Sequence, residues 1–274
     1  MPPSAAQLRE PVVDIVRRAS AAILRAYGAA DVGATLKADE SPLTRADLAA
    51  HRVLLDALSS LTPGIPVLSE EAVLRPFEER ARWPAYWLVD PLDGTKEFLA
   101  RNGEFTVNVA LVVGHDAVLG VVGVPARDVI YTGVAGRGAA RIEGPGSPRR
   151  IVTRRPAAQP VRVVGSRSHR GTSLDAFLGR IGPHELVPTG SALKFCIVAE
   201  GDADLYPRLG PTSEWDTAAA QAVLVAAGGS VVTPDGAPLR YNTKADILNP
   251  HFLASGDPEH PWLPAFAGTS GACA

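Results

Sequence analysis

The sequence predicts an α+β first half joined to an α/β second half. Three observations carry that expectation. Two stretches near the N-terminus repeat apolar residues at helical spacing. The chain then turns to β-rich runs joined by short polar turns. Beyond a connector rich in proline, glycine and arginine, strand-like and helix-like segments alternate, the pattern of an α/β unit.

Leu8, Val12, Ile15, Ala19, Ile23 and Tyr27 predict an amphipathic helix over residues 5–27. A second helix follows "SPLTRAD", with Leu48, Leu55 and Leu58 on its inner face. Thr44 is its cap, and Asp47 sits three positions on, a capping-box spacing with Asp in place of Glu or Gln. "YWLVD" reads as a strand, followed by "EFTVNVALVVG", "AVLGVVGVP" and "DVIYTGVA", which short turns make antiparallel neighbours. The segment "GPGSPRRIVTRRPAAQP", residues 144–160, is the expected boundary, dividing a half over 1–150 from one over 151–256. In the second half "VRVVGS" and "ADLYP" read as strands, and "SLDAFLGRI", "SALKFCIVAEG" and "WDTAAAQAVLVAAGG" as helices. Residues 257–274 have no period and are expected to form a loose tail.

Of the 274 residues 46% are hydrophobic and 20% charged, with a formal net charge of −2. That balance leaves no electrostatic footprint for a nucleic-acid polymer. The densest basic run, "SPRRIVTRRP", reads as a solvated edge or connector. Two cysteines, Cys196 in an apolar segment and Cys273 in the tail, make no disulfide framework and suit a reducing compartment. No secretory signal and no transmembrane-length apolar run is evident, so the expected location is cytoplasmic, with peripheral inner-membrane association left open. Whether the chain is a monomer or a homodimer is also open.

The stretch "LVDPLDGTKEF", residues 88–98, crowds Asp90 and Asp93 around Pro91 at the end of an apolar strand. Two carboxylates this close repel unless a cation lies between them. Magnesium suits them, because it takes oxygen ligands and binds through a few carboxylates together with phosphate. The Leu92 carbonyl adds a further oxygen. Gly94 lets a ligand approach the backbone, and Gly94 and Thr95 offer N–H groups to an anion. The same aspartates could simply cap the helix opened by "GTKEFL". An EF-hand is excluded, since Val89 and Ala100 would fall at its ligand positions. "PVLSEE" repeats the design, ending an apolar run with Glu70 and Glu71, and "SEWDTAAAQAVL" places Asp216 at a helix start.

"LSEE", "DPLDGTKEF" and "WDTAA", in that order, resemble the metal-binding signature of the inositol-monophosphatase superfamily, magnesium-dependent and lithium-sensitive phosphomonoesterases. "SPLTRAD", "RNGEFTVNVALV", "SRSH", "GSALKFCIVAEG" and "LYPRLGPTSEWDTAA" are similar to one branch, the bacterial 3′(2′),5′-bisphosphate nucleotidases, over residues 8–254. The resemblance implies a layered αβαβα sugar-phosphatase fold and two or three Mg²⁺ ions. It makes Glu70, Asp90, Asp93 and Asp216 metal ligands together with the Leu92 carbonyl. Asp47, Glu70 and Thr95 become the group that orients and activates an attacking water, with Lys37 near the metal loop. Glu70, Leu92, Asp93, Gly94, Thr95 and Asp216 then also meet the substrate.

A substrate with two phosphates needs a second anion pocket. "GSRSHR" offers Ser166 and His169, "TGSALKF" offers Gly190, Ser191 and Lys194, and "LYPRLG" offers Arg208. In the nucleotidase branch the positions matching His169, Ser191, Lys194 and Arg208 contact the nucleotide. The implied reaction is hydrolysis of adenosine 3′,5′-bisphosphate, a small-molecule nucleotide, to AMP and phosphate, with phosphoadenylyl sulfate as a further candidate substrate yielding adenylyl sulfate. The alternatives are an inositol-monophosphatase or fructose-1,6-bisphosphatase of the same superfamily and, from another class, a non-catalytic nucleotide- or metal-binding regulator.

Overall fold

A computed structural model of the chain describes residues 3–29, 33, 35–36, 42–165 and 172–267. The first element, α1 (Ala5–Tyr27), opens with a reciprocal capping box between Ser4 and Gln7. A short antiparallel ladder of β1 (Thr35–Leu36) and β2 (Pro42–Leu43) leads into α2 (Arg45–Leu61). The buried stripe of α2 is Ala46, Ala50, Leu54 and Leu58, while Leu48 is 38% exposed and Leu55 only partly covered. Of the inner face expected from Leu48, Leu55 and Leu58, only Leu58 is buried; Ala46, Ala50 and Leu54 take the place of the other two. Positions four apart stack on one side of a helix, and the small Ala46 and Ala50 let α1 approach closely.

Next come β3 (Val67–Ser69), α3 (Phe77–Arg80), β4 (Ala85–Asp93), α4 (Thr95–Leu99), β5 (Thr106–Val113) and β6 (Asp116–Val124). A 3₁₀ turn then leads to β7 (Val129–Val134), β8 (Gly138–Glu143) and β9 (Arg149–Ile151). The described strands β3 to β9 lie side by side in sequence order in one sheet. Only β3 and β4 in it are parallel. Part of the basic run is therefore the edge strand β9, with Arg149 and Arg150 exposed, a solvated edge as expected.

The remainder is β10 (Val161–Gly165), α5 (Thr172–Ile181), β11 (His184–Pro188), α6 (Leu193–Ala199), β12 (Leu205–Arg208), α7 (Glu214–Ala226), β13 (Ser230–Val232), β14 (Phe252–Ser255) and α8 (Leu263–Ala267). Its sheet has the order β11-β10-β12-β14-β13, parallel across the first three strands and antiparallel beyond.

Three apolar zones stack these elements into five layers. The first joins α1 and α2 to one face of the large sheet, through Val12, Val16, Leu54, Trp87 and Val109. The second packs α6 and α7 between the two sheets, through Leu88, Val122, Phe195, Val223 and Phe252. The third covers the far face of the small sheet with α5 and α8. The order is the αβαβα layering expected. The segment from residue 257, expected to be loose, folds back as far as residue 267. Trp262 and Phe266 are buried, and the Phe266 ring meets Phe177 edge-on at 6.0 Å. Two aromatic rings covering the outer face of the small sheet outweigh the lack of a helical period.

No Cβ fits between α7 and the large sheet at two strand positions. A Cβ on Gly120 would lie 2.0 Å from the Ala219 carbonyl oxygen, and one on Gly133 2.4 Å from Val223 Cα. The helix thus rests backbone to backbone on β6 and β7. Gly133→Ala is expected to destabilise the fold by about 1–3 kcal/mol or more, read as a lower urea midpoint. An unchanged midpoint would mean that α7 sits farther from the sheet than described.

Candidate active site

Glu70 follows the carboxyl end of β3 and donates its backbone N–H to the Val89 carbonyl at 3.2 Å, beside the parallel β4. The expected end of strand at Asp90 is not found. The strand runs on to Asp93 through a bulge: Asp90 faces Asn108 and Asp93 faces Thr106, leaving Pro91 and Leu92 opposite Val107 alone. Pro91 has no N–H to give the ladder, and a bulge accommodates that while re-aiming the flanking side chains. Asp90 is 1% exposed and accepts the Leu92 N–H at 3.0 Å. Gly94 takes a left-handed conformation, φ +90°, that turns the chain into α4. With only five residues, α4 offers individual amides rather than a long helix dipole.

The partners of this turn come from both halves. Asp47 accepts from the Thr44 N–H and hydroxyl with one oxygen, at 2.7 and 2.5 Å, and from the Thr95 hydroxyl with the other at 3.5 Å. Capping α2 and holding Thr95 are therefore one arrangement. Asp93 accepts the Ala192 N–H, across the seam between the halves, at 2.5 Å, with the Thr106 hydroxyl and Asn108 amide at 3.4 and 3.5 Å. Asp216 stands in the first turn of α7 and accepts the Ser213 N–H at 2.9 Å.

Glu70, Asp90, Asp93 and Asp216 share one electrostatic field. Burial pushes Asp90 well above the ordinary carboxylate range, and Glu70, Asp93 and Asp216 push it further. Burial likewise raises Asp93, opposed by the Lys194 charge and the Ala192 N–H. Asp216 is pushed up to about 8, first by burial and next by Asp93. Among the described residues no three such side chains close into a finished ion cage; the four share a field without sharing a point. An oxygen-only donor set, acidic and short of compensating charge, fits a hard divalent cation such as Mg²⁺, which would draw the carboxylates in.

Asp93, Gly94 and Asp216 line a cleft together with Ser191, Lys194 and Arg208. Lys194 is 6% exposed, its ammonium 5.4 Å from the centre of the Tyr206 ring. Arg208 donates to the carbonyls of Gly210, at 3.1 Å, and Pro211. Ser191 is held at φ +48°, and Gly190 donates its N–H to Glu104 at 2.9 Å. Lys37, Ser166 and His169 lie outside the described residues.

A model of the inositol monophosphatase family matches residues 4–262. The chain belongs to that family. Among its relatives, the 3′(2′),5′-bisphosphate nucleotidase CysQ of Escherichia coli O157:H7 is 50% identical over 245 residues, 89% of this chain and 98% of that one. The CysQ nucleotidase of Buchnera aphidicola subsp. Acyrthosiphon pisum is 40% identical over 252 residues, 91% and 94% of the two chains. The crystal structure of CysQ from Bacteroides thetaiotaomicron superposes with a TM-score of 0.78 at 39% identity, covering 90% and 96%. An inositol monophosphatase from Anabaena gives 0.74 at 23% identity, covering 95% of each, and speaks for the fold alone.

Several residues of this inositol monophosphatase cleft escaped sequence reasoning. Glu97, Tyr206, Thr212 and Thr217 line it, and Glu104, Thr106 and Asn108 brace its walls. Thr106 and Asn108 did carry a signal, as buried polar residues interrupting the apolar β5. Glu104 carried none, because its partner lies 86 positions away.

The raised Asp216 has a measurable consequence. In ion-free protein its proton is bound more tightly in the folded state, at about 8 against an ordinary 3.8. Its contribution to stability is therefore present below the unfolded value and lost as pH rises through about 8. In EDTA the melting temperature is expected to fall from about pH 6 to about pH 8.5, and Mg²⁺ to raise it more at the higher pH. A melting temperature indifferent to Mg²⁺ at both would remove the ion from this cluster.

Proposed function

We infer that this chain is a 3′(2′),5′-bisphosphate nucleotidase that hydrolyses adenosine 3′,5′-bisphosphate to AMP and phosphate. What carries the reading is one cleft lined by Asp93 and Asp216 together with Lys194 and Arg208. A single-phosphate polyol substrate has no need of those cations; a nucleotide with a second phosphate does. The half-identical nucleotidase, 98% of whose length is matched, supports the same substrate. We assign the chain to the cytoplasm, in keeping with the buried free thiol of Cys196. No helix among the described residues is long and apolar enough to cross a membrane.

Glu70, Asp90, Asp93, Asp216 and the Leu92 carbonyl would hold Mg²⁺, two or three ions in all. When bound, the metal supplies Lewis acidity toward the phosphate and makes a neighbouring water easier to deprotonate. The protein's own groups do the rest. Thr95, with its hydroxyl turned toward Asp47, presents its oxygen to the attacking water, and Glu70 orients that water from the end of β3. Asp47 terminates the relay and, with its pKa raised by burial, is a better proton acceptor once ionised. The Gly94 and Thr95 amides face charge developing on the phosphoryl oxygens. Lys194 and Arg208 hold the distal phosphate, which keeps the nucleotide in register for in-line attack.

Phosphate release should favour adenosine 3′,5′-bisphosphate over inositol 1-phosphate and fructose 1,6-bisphosphate; the reverse preference would overturn the substrate. Asp93→Asn is expected to abolish turnover while the circular dichroism spectrum is retained. Retained turnover would remove Asp93 from the metal set. Lys194→Ala should cut kcat/KM about tenfold or more on the bisphosphate and far less on a simple monophosphate. An equal loss on both would assign Lys194 to the metal site instead.

A further inference from the structure

Glu97 is not needed by the hydrolytic machinery just described, yet its side chain reaches into the same cleft. It sits in the first turn of α4, two residues beyond Thr95, and is held between two glycines from opposite halves. A Cβ on Gly190 would lie 2.6 Å from Glu97 Cγ and 3.0 Å from Oε1, and a Cβ on Gly94 3.1 Å from Oε2. Both glycines therefore leave the space that this side chain fills. Ser191 stands beside it, its Cβ 3.3 Å from the same Gly94 position. The carboxylate is partly exposed, and among the described residues no hydrogen bond or ion pair engages it.

A carboxylate at this place can only accept hydrogen bonds, and it repels phosphate. Its natural partner is an uncharged donor on the ligand. A nucleotide bisphosphate has two kinds, ribose hydroxyl and base amine. One Glu97 oxygen, Oε2, lies against Gly94, adjacent to Asp93, beside which the nucleotidase reading places the scissile phosphate. The donor nearest to that phosphate is the free hydroxyl on the neighbouring ribose carbon. Resting on the nucleotidase reading, we propose that Glu97 is a specificity residue that accepts a hydrogen bond from the ribose hydroxyl vicinal to the scissile phosphate, so that the enzyme reads ribose against deoxyribose.

A charged acceptor left facing a missing hydroxyl loses its hydrogen bond and keeps its desolvation, a loss of about tenfold to a hundredfold. The test compares kcat/KM for adenosine 3′,5′-bisphosphate and 2′-deoxyadenosine 3′,5′-bisphosphate in the wild-type holoenzyme and in Glu97→Ala. The wild type should prefer the ribonucleotide at least about tenfold, and Glu97→Ala should bring the ratio close to one, chiefly by slowing the ribonucleotide. Glu97→Gln, which keeps the shape and one acceptor oxygen, should give an intermediate ratio and serves if the alanine variant folds poorly. The same ratio in all the enzymes, or no preference in the wild type, would overturn the proposal. So would a Glu97→Ala effect confined to inosine against adenosine 3′,5′-bisphosphate, since the carboxylate would then read the base. Wild-type enzyme inactive on every one of these nucleotides would instead sink the underlying nucleotidase reading, and this proposal with it.

Discussion

Mutual repulsion among carboxylates is the constraint around which this protein is organised. Glu70, Asp90, Asp93 and Asp216 are brought into one field, and burial strengthens the repulsion by removing the water that would screen it. Such an arrangement survives only where rigid elements hold it. Here these are two parallel strands, β3 and β4, and the first turn of a thirteen-residue helix, α7. The three aspartates are also tied by backbone contacts: Asp90 to the Leu92 N–H, Asp93 to that of Ala192, Asp216 to that of Ser213. Those N–H groups stabilise the charged forms without neutralising them, so the field stays available for a cation and a phosphate.

The cleft lies on the seam between the halves, and the seam is held by unlike means. One is steric: α7 lies directly on Gly120 and Gly133 of the large sheet, which sets the helix that carries Asp216 close against the sheet that carries Asp90 and Asp93. The other is polar. Asp93 reaches Ala192, and Glu104 reaches Gly190 while Arg127 approaches its other oxygen at 3.4 Å. These bonds fix the 190–192 loop, which carries Ser191 into the cleft and leads into α6, whose Lys194 lines the same cleft. The carboxylate turn and the 190–192 loop thus meet across a single line of contacts, on a fold shared with an inositol monophosphatase at 23% identity.

Legibility in the sequence followed the range of the physics. The Thr44–Asp47 box and the helices α1, α2 and α7 depend on neighbours three or four positions apart, and they were readable. The crowding of carboxylates in "DPLDGT" was readable for the same reason, since crowding of charge is local. Its conformation was not: a strand carried through a bulge rather than ended depends on Asn108 and Thr106 across the sheet. The short strands β8, β9, β11, β13 and β14 also escaped notice, because three to six residues hold too little period to be told from loop. The buried tail escaped because its partner, Phe177, is far away in the chain.

By itself the sequence determined the family, the identity of the carboxylates and the succession of the long elements, since all of these are written in residue type and near-neighbour spacing. The tertiary structure alone decided what faces what. It turned the Thr95 hydroxyl toward the capping Asp47, placed Lys194 and Arg208 in the carboxylate cleft, and set Glu97 against Gly190. Thr95 and Asp47, Glu97 and Gly190, and Asp93 and Arg208 are tens to more than a hundred positions apart. The packing of α7 and of the 190–192 loop against the large sheet brings the cleft-lining residues of the two sides together.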